Sequence, residues 1–111
     1  MAEPINRKKL NEIRDVDRLI HEPARLIVLT ILTTVKSADF LYLQRETELT
    51  KGNLSAHLSK LEDAGYVKIT KSFKGKRPHT DCKISAKGRQ AYEGYVNQLG
   101  NALGTGGAKG E

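Results

Sequence analysis

The sequence predicts a mainly α-helical domain that carries one small antiparallel β-hairpin, an α+β arrangement. Apolar residues recur every three or four positions in several segments, which is the spacing of helices with one buried face. After residue 66 the spacing changes to two, the period of a strand that is buried on one side. At 111 residues the chain has the size of one domain, predicted here over residues 1–100.

Two helices are predicted before the centre of the chain. The first covers about residues 6–20, and its apolar face is formed by Leu10, Ile13, Val16 and Ile20. Pro23 suits the first position of the second helix, predicted over about residues 24–36. This segment is apolar on nearly every side, which is typical of a helix in the middle of a core. Its β-branched residues leave a strand as the alternative.

A helix-turn-helix is predicted over about residues 40–64. Asp39 is the candidate N-cap of a helix of about two turns, which ends before a turn at residues 46–49. Thr50 and Gly65 are suitable cap residues for the second helix. One face of that helix is apolar, formed by Leu54, Leu58 and Leu61. The opposite face is small or polar and has no acid: Gly52, Asn53, Ser55, Ala56, Ser59 and Lys60.

A basic hairpin is predicted over about residues 66–84, with its turn at Gly75. Val67 and Ile69 alternate with polar residues on the first strand, and Cys82 shares one face of the second. Ser85 is the candidate N-cap of a last helix over about residues 86–99. The glycine-rich end, residues 101–111, is expected to be disordered.

The positive charge is concentrated in one stretch of the chain. The formal net charge is +6, and residues 51–79 hold seven bases and two acids, a net charge of +5. A concentrated positive patch indicates a polyanionic partner, although a solvated basic surface is the alternative. Because the acid-free helix face directly precedes the basic hairpin, the sequence predicts a protein that binds double-stranded DNA.

The helix face offers groups that suit base edges, because Asn pairs with adenine, Ser donates or accepts, and the Ala methyl contacts thymine. Lysines at the edges of this face and the basic side chains of the hairpin suit phosphates. The predicted DNA contacts are Thr50, Lys51, Gly52, Asn53, Ser55, Ala56, Ser59, Lys60, Lys74, Lys76 and Arg77. His57, beside the leucine face, is predicted to pack or hydrogen-bond within the protein.

The apolar stripe of the last helix has two interpretations. It covers the core of its own chain, or it pairs with the same helix of a second copy. The second interpretation is favoured because a small chain has few faces to hide, and it predicts a homodimer. The predicted interface is Leu10, Ile13, Ile20, Tyr92, Tyr95, Val96 and Leu99.

Other function classes find little support in the sequence. No nucleophile and base can be paired, so we expect no catalytic residues, no enzyme activity and no cofactor. His79 and Cys82 are only two potential ligands, fewer than a zinc site needs, so no metal is expected. No apolar run reaches the roughly 20 residues that span a membrane. A single cysteine and the lack of a signal-peptide core predict a cytoplasmic protein.

The order of these elements resembles the winged helix-turn-helix of ArsR- and MarR-type regulators, and most of all their small dimeric winged-helix DNA-binding domain family. The resemblance covers about residues 8–100 and is carried by residues 21–26, 49–58, 60–67, 74–78 and 85–89. The hairpin of residues 66–84 corresponds to the family's wing. Metal-sensing members have paired cysteines near the second helix of the motif, and none is present here, so metal sensing is not implied. A short capping residue often precedes the proline, and Glu22 here leaves that cap open.

The resemblance implies a homodimeric DNA-binding transcriptional regulator. The second helix of the motif would enter the major groove, and the wing would lie along the DNA backbone. Winged helices also serve as protein–protein assembly modules, and this is the alternative function. The operator, a small-molecule effector and the direction of regulation are left open.

Overall fold

The structure, a computed structural model, describes residues 6–104 and confirms the mainly helical fold with a small antiparallel sheet. Five α-helices, one 3₁₀ turn and three strands lie within these residues. In chain order they are α1 (Arg7–Glu12), the 3₁₀ turn (Ile13–Asp15), α2 (Pro23–Thr33), β1 (Ala38–Asp39), α3 (Phe40–Thr47), α4 (Lys51–Asp63), β2 (Val67–Lys74), β3 (Arg77–Ile84) and α5 (Ala86–Ala102). No helix in this part of the chain is long and apolar enough to span a membrane.

The first helix is shorter than the predicted residues 6–20. Beyond residue 15 the backbone leaves the helix at Val16, which is extended. The carboxylate of Asp17 then accepts hydrogen bonds from two backbone N–H groups downstream, at 2.9 and 3.2 Å. Because the helix breaks here, the side chains of Val16 and Ile20 both point into the core, where Ile20 is completely buried. Core packing has therefore outweighed the helical periodicity that predicted a continuous helix.

Helix α2 is the central core helix, as predicted, and the strand alternative is wrong. Glu22 supplies the uncertain cap, because its carboxylate accepts a hydrogen bond from the backbone N–H of Arg25 at 2.9 Å. The helix ends at Thr33, earlier than the predicted residue 36. Its completely buried side chains are Val28, Leu29 and Leu32.

The helix-turn-helix is formed by α3 and α4, and its predicted caps are confirmed. Asp39 and Thr50 each accept a hydrogen bond from the backbone N–H three residues later. The turn between the helices contains Glu48 in the left-handed conformation, with φ of 59°. Gly65 follows α4 with φ of 80°, a conformation that favours glycine.

The sheet has the strand order β1-β3-β2, and all neighbours are antiparallel. Strands β2 and β3 form the wing, joined by a two-residue turn in which Gly75 has φ of 66°. Strand β1 was not predicted, because two residues carry too little pattern to be recognised as a strand. It pairs Ala38 with Cys82 and so connects the start of the helix-turn-helix to the wing.

Helix α5 begins after Ser85, whose hydroxyl accepts a hydrogen bond from the N–H of Gly88 at 2.9 Å. It continues to Ala102 instead of ending near residue 99, and Ala102 is buried. Residues 101 and 102, predicted to belong to a disordered tail, are therefore helical, and residues 105–111 of that prediction lie outside the described part of the chain.

The close contact between α5 and the base of the wing requires a glycine at residue 88. A Cβ there would lie 2.1 Å from the carbonyl oxygen of Tyr66, which also accepts a hydrogen bond from the Ser85 N–H. We expect Gly88→Ala to lower the free energy of unfolding by about 1–3 kcal/mol, because α5 must shift to relieve the overlap. Urea unfolding monitored by circular dichroism measures this change.

Gly94→Ala is the matched control in the same helix. A Cβ at residue 94 meets nothing within 4 Å, so alanine should stabilise the helix by about 0.5–1 kcal/mol. Equal effects of the two substitutions would contradict the packing of α5 against Tyr66.

The buried thiol of Cys82 predicts a loss of stability at alkaline pH. Burial, followed by the charges of Asp81, Glu62 and Asp39, raises the pKa of Cys82 from 9.0 to about 11. Between these values the unfolded chain loses its thiol proton more readily than the folded one, so stability should fall as pH rises from about 9 to 11. Urea unfolding across this range should give a shallower pH dependence for Cys82→Ala, and identical slopes would contradict the prediction.

Candidate nucleic-acid interface

Helix α4 presents its small polar face to solvent because its leucines face the core. Leu54, Leu58 and Leu61 are buried, and the side opposite them is open. A Cβ added to Gly52 would meet nothing within 4 Å. The eight predicted contact residues at the start of and along α4 are all exposed: Thr50, Lys51, Gly52, Asn53, Ser55, Ala56, Ser59 and Lys60.

The basic residues of α4 and the wing are not neutralised by neighbouring acids. Within residues 6–104, the seven bases of residues 51–79 form no ion pair. The predicted contacts Lys74, Lys76 and Arg77 are exposed at or beside the hairpin turn. Because these charges have no protein partner, they are available to an anionic ligand.

A cavity of about 350 Å³ separates α4 from the wing. We call this space the α4–wing groove. On the helix side it is lined by Lys51, Ser55 and Ser59, and on the wing side by Ile69 and Lys71. The groove thus places two lysines, three hydroxyl groups and two carboxylates around an apolar wall. Its remaining lining residues are Asp39, Phe40, Leu41, Leu58, Glu62, Pro78, His79 and Thr80.

The groove separates the predicted α4 contacts into two sets. Lys51, Ser55 and Ser59 face the wing, whereas Asn53 and Lys60 do not line the groove. Ala56 and Gly52 also lie outside it. Lys71 was not among the predicted contacts, although its position two residues after Ile69 on the same strand could have identified it.

The two faces of the wing differ in what they contact. Val67 and Ile69 lie opposite Ile84 and Cys82, and these four side chains pack on or near the core. The same face continues outward through the pair Lys71–Thr80 and ends at the pair Phe73–Pro78. We call this the inner face of the wing, because its middle part lines the α4–wing groove.

His57 connects α4 to the start of α2, as a packing and hydrogen-bonding residue. Its Nδ1 lies 3.1 Å from a terminal guanidinium nitrogen of Arg25 and 3.9 Å from a carboxylate oxygen of Glu22. The Nε of Arg25 also donates to the carbonyl of Leu19 at 2.6 Å. These contacts hold α4 from the side that faces away from the wing. The partners of His57 were not predicted, because they are more than thirty residues earlier in the chain.

Tyr66 attaches the base of the wing to the segment before α2. Its hydroxyl donates a hydrogen bond to Asp17, and the Lys87 ammonium group lies 5.9 Å from its ring centroid. Burial, the hydrogen bond and the Asp17 charge raise the pKa of Tyr66 to about 12. The phenol of Tyr66 therefore remains a hydrogen-bond donor further into the alkaline range than an ordinary tyrosine.

The predicted dimer residues fall into three groups by their exposure. Ile20 and Tyr95 are 0% and 4% exposed, so both belong to the core of their own chain. The Tyr95 hydroxyl lies 2.7 Å from Nδ1 of His21. Ile13, Tyr92 and Leu99 are partly buried, and of the seven only Leu10 and Val96 are about half exposed. Ile27 and Leu103, which were not predicted, are also exposed apolar residues.

The residues weighed as metal ligands do not converge. His79 and Cys82 differ by an odd number of positions on β3, so their side chains point to opposite faces. His79 instead pairs with Asp81, with Nε2 and Oδ2 3.2 Å apart. Among residues 6–104, no group of three or more potential metal-ligating side chains is found.

Comparison with known proteins agrees with this geometry. Residues 24–103 match the family model of the winged helix DNA-binding domain. An uncharacterised protein of Methanocaldococcus jannaschii is 35% identical over 82 residues, which cover 74% of this chain and 89% of that protein. A transcriptional regulator homologue from Pyrococcus horikoshii OT3 has a TM-score of 0.78 at 29% identity, over 86% of this chain and 94% of that chain.

A MarR family transcriptional regulator from Streptomyces coelicolor, solved in complex with DNA, shares the fold with a TM-score of 0.62. It is 15% identical, over 87% of this chain and 65% of that chain. The chain belongs to the winged helix DNA-binding domain family. Its structural neighbours are transcriptional regulators of the MarR and ArsR families, as the resemblance of the sequence predicted.

Proposed function

We propose that this protein is a sequence-specific regulator of transcription that binds double-stranded DNA as a homodimer. The observation that carries the proposal is the small polar exposed face of α4, whose acids lie only at its C-terminal end, next to a wing whose lysines and arginine form no ion pairs within residues 6–104. Membership of a DNA-binding family and the similarity to known regulators support the same function.

Helix α4 would enter the major groove, which is about 12 Å wide and admits a helix. Asn53, Ser55, Ala56 and Ser59 are exposed on α4 and would meet the bases, with Ser55 and Ser59 at the edge of that face that also lines the α4–wing groove. Asn53 makes the bidentate pair with adenine in this arrangement, and the hydroxyls add less specific contacts. Sequence preference therefore resides mainly in α4.

One strand of the DNA backbone would lie in the α4–wing groove. Lys51 and Lys71 border the groove from its two sides, so a phosphate beside them meets positive charge, and Asp39 and Glu62 are the acids that also line the groove. Lys60 lies outside the groove and would meet the opposite backbone of the major groove. Lys74, Lys76 and Arg77 extend the contact beyond the groove at the tip of the wing. The lysine contacts position the protein and supply affinity without selecting sequence. Arg77 would read shape as well as charge if it entered a narrow minor groove.

A second copy would cover the exposed apolar residues of α1, α2 and α5. Helix α5 runs antiparallel to α2, because Arg89 hydrogen-bonds Thr33 and Tyr92 hydrogen-bonds Thr30. One turn further along α5, Val96 comes level with Ile27, and both are about half exposed. An apolar surface on the helices away from the wing is suited to a two-fold interface. Two-fold symmetry then predicts half-sites about 10 bp apart or a multiple of that.

Selection of bound sequences from random duplexes by the purified protein tests the DNA-binding proposal. We expect one enriched pseudo-palindromic motif, bound with a steep salt dependence. With six to ten phosphate contacts, affinity should fall by about 10³–10⁵ between 50 and 200 mM salt. Absence of binding to any duplex at low salt would refute the proposal and favour a protein–protein assembly module.

Substitutions in α4 and the wing should have different effects on the selected site. Asn53→Ala should cost about 1–3 kcal/mol on that site and relax preference at one position, because it removes a base contact. Lys76→Ala should weaken all duplexes by a similar factor and reduce the salt slope by about 1, because it removes a phosphate contact. Fluorescence anisotropy with a specific and a scrambled duplex across a salt series measures both effects.

The opposite pattern would show that the roles are reversed. In that case Asn53→Ala would weaken both duplexes equally, and Lys76→Ala would abolish discrimination between them. Sequence preference would then reside in the wing rather than in α4.

Light scattering should give twice the chain mass of 12.3 kDa at micromolar concentration. Val96→Glu should shift the protein toward monomer, because it places a charge in the proposed apolar interface. Gln90→Glu, an exposed position on another side of α5, is the control and should leave the dimer intact. A monomer mass for the unmodified protein would contradict the homodimer.

A further inference from the structure

The wing carries an exposed aromatic side chain that the proposed contacts leave without a role. Phe73 lies near the hairpin turn and is 72% exposed. Its cross-strand partner is Pro78, which is also exposed. Single apolar side chains are common on protein surfaces, so the surroundings of Phe73 decide whether the ring contacts another molecule.

The direction of Phe73 follows from the alternation of side chains along β2. Phe73 belongs to the inner face of the wing, together with Ile69 and Lys71, which line the α4–wing groove. It lies two residues beyond Lys71, or about 7 Å further out along the strand. The ring therefore projects from the same wall as the groove, past the place proposed for the DNA backbone.

The charges around Phe73 favour a nucleic acid as its partner. Residues 64–80 contain five bases and no acid. Lys71, Lys74 and Arg77 are within a few positions of the ring along the hairpin, and none forms an ion pair within the described residues. An apolar contact surrounded by uncompensated positive charge suits a polyanion that also offers apolar surface.

The minor groove of DNA offers such a surface between its two phosphate backbones. Its walls are formed by deoxyribose, and apolar side chains such as Phe and Pro enter it in other proteins and unstack base steps. A wing tip that passes a backbone lying in the α4–wing groove reaches the minor groove next to the major-groove segment that α4 contacts.

We propose that Phe73, supported by Pro78, packs into this flanking minor groove and makes binding depend on how easily the DNA deforms there. The proposal rests on the proposed function and extends it to base pairs that α4 does not contact. Pyrimidine–purine steps such as TA open easily, whereas A-tracts are stiff and have a narrow minor groove. The ring therefore selects TA-containing flanks over A-tract flanks.

The test compares two fluorescein-labelled duplexes that share the motif recovered by selection and differ only in their flanks. One carries TA steps and the other an A-tract. We expect the unmodified protein to bind the TA-flanked duplex about tenfold more tightly. Phe73→Ser should lose this preference and about tenfold in affinity for that duplex, with an unchanged salt slope because no charge is removed.

The double variant Ser72→Phe with Phe73→Ser is the matched control. It keeps one exposed aromatic ring at the tip of the wing but moves it to the other face of the hairpin, because side chains alternate along β2. We expect it to behave like Phe73→Ser in both flank preference and affinity. Far-UV circular dichroism of both variants checks that the hairpin, whose altered positions are exposed, has kept its structure.

The outcomes separate this inference from the proposed function. If the unmodified protein recovers no motif and binds no duplex, the proposed function fails and the inference falls with it. If the unmodified protein binds its motif but Phe73→Ser retains its affinity and flank preference, only the inference is overturned. Recovery of the flank preference by the double variant would also overturn it, because the face that carries the ring would then be irrelevant.

Discussion

The burial of one face of α4 is the constraint on which the rest of the surface depends. Leu54, Leu58 and Leu61 are buried in the core. Because they share one face of the helix, the opposite face of α4 is exposed to solvent. Polar contacts of His57 with Arg25 and Glu22 also hold one side of the helix in place. The exposed face of α4 is therefore rigidly presented by a packed core.

The wing uses the same principle with the period of a strand. Its inner face begins in the core at Val67, borders the α4–wing groove at Lys71 and ends in solvent at Phe73. Over seven residues, the side chains on this one face thus pass from a structural role in the core to a proposed binding role in solvent. The contact of Gly88 with Tyr66 holds the base of this hairpin against α5, so the position of the wing depends on a site far from its tip.

The proposed DNA contacts are of two kinds, base contacts from α4 and phosphate contacts from the wing. Small polar groups on a rigid helix suit base edges, whose positions must be matched closely, whereas long basic side chains on the hairpin suit phosphates. An apolar ring at the end of the wing would add a third kind of contact, which responds to the deformability of DNA rather than to its base edges. Affinity, sequence preference and shape preference would then be altered by different substitutions.

The elements whose periodicity and caps are local could be predicted from the sequence. The leucine face of α4, the caps Asp39, Thr50 and Ser85, and the alternation of the wing could all be predicted, because each depends on residues only a few positions apart.

The features that depend on distant residues follow from the tertiary packing. The first helix breaks so that Val16 and Ile20 reach the core, and β1 exists only because β3 pairs with it. The α4–wing groove likewise joins residues of α4 to Lys71 of β2, a proximity that appears only when the helix and the hairpin pack on one core. Ile20 and Tyr95 were predicted to lie in the dimer interface, but both are buried in the core of their own chain. An apolar stripe on a helix shows which residues share a face, but it does not show whether the same chain or a second copy covers that face.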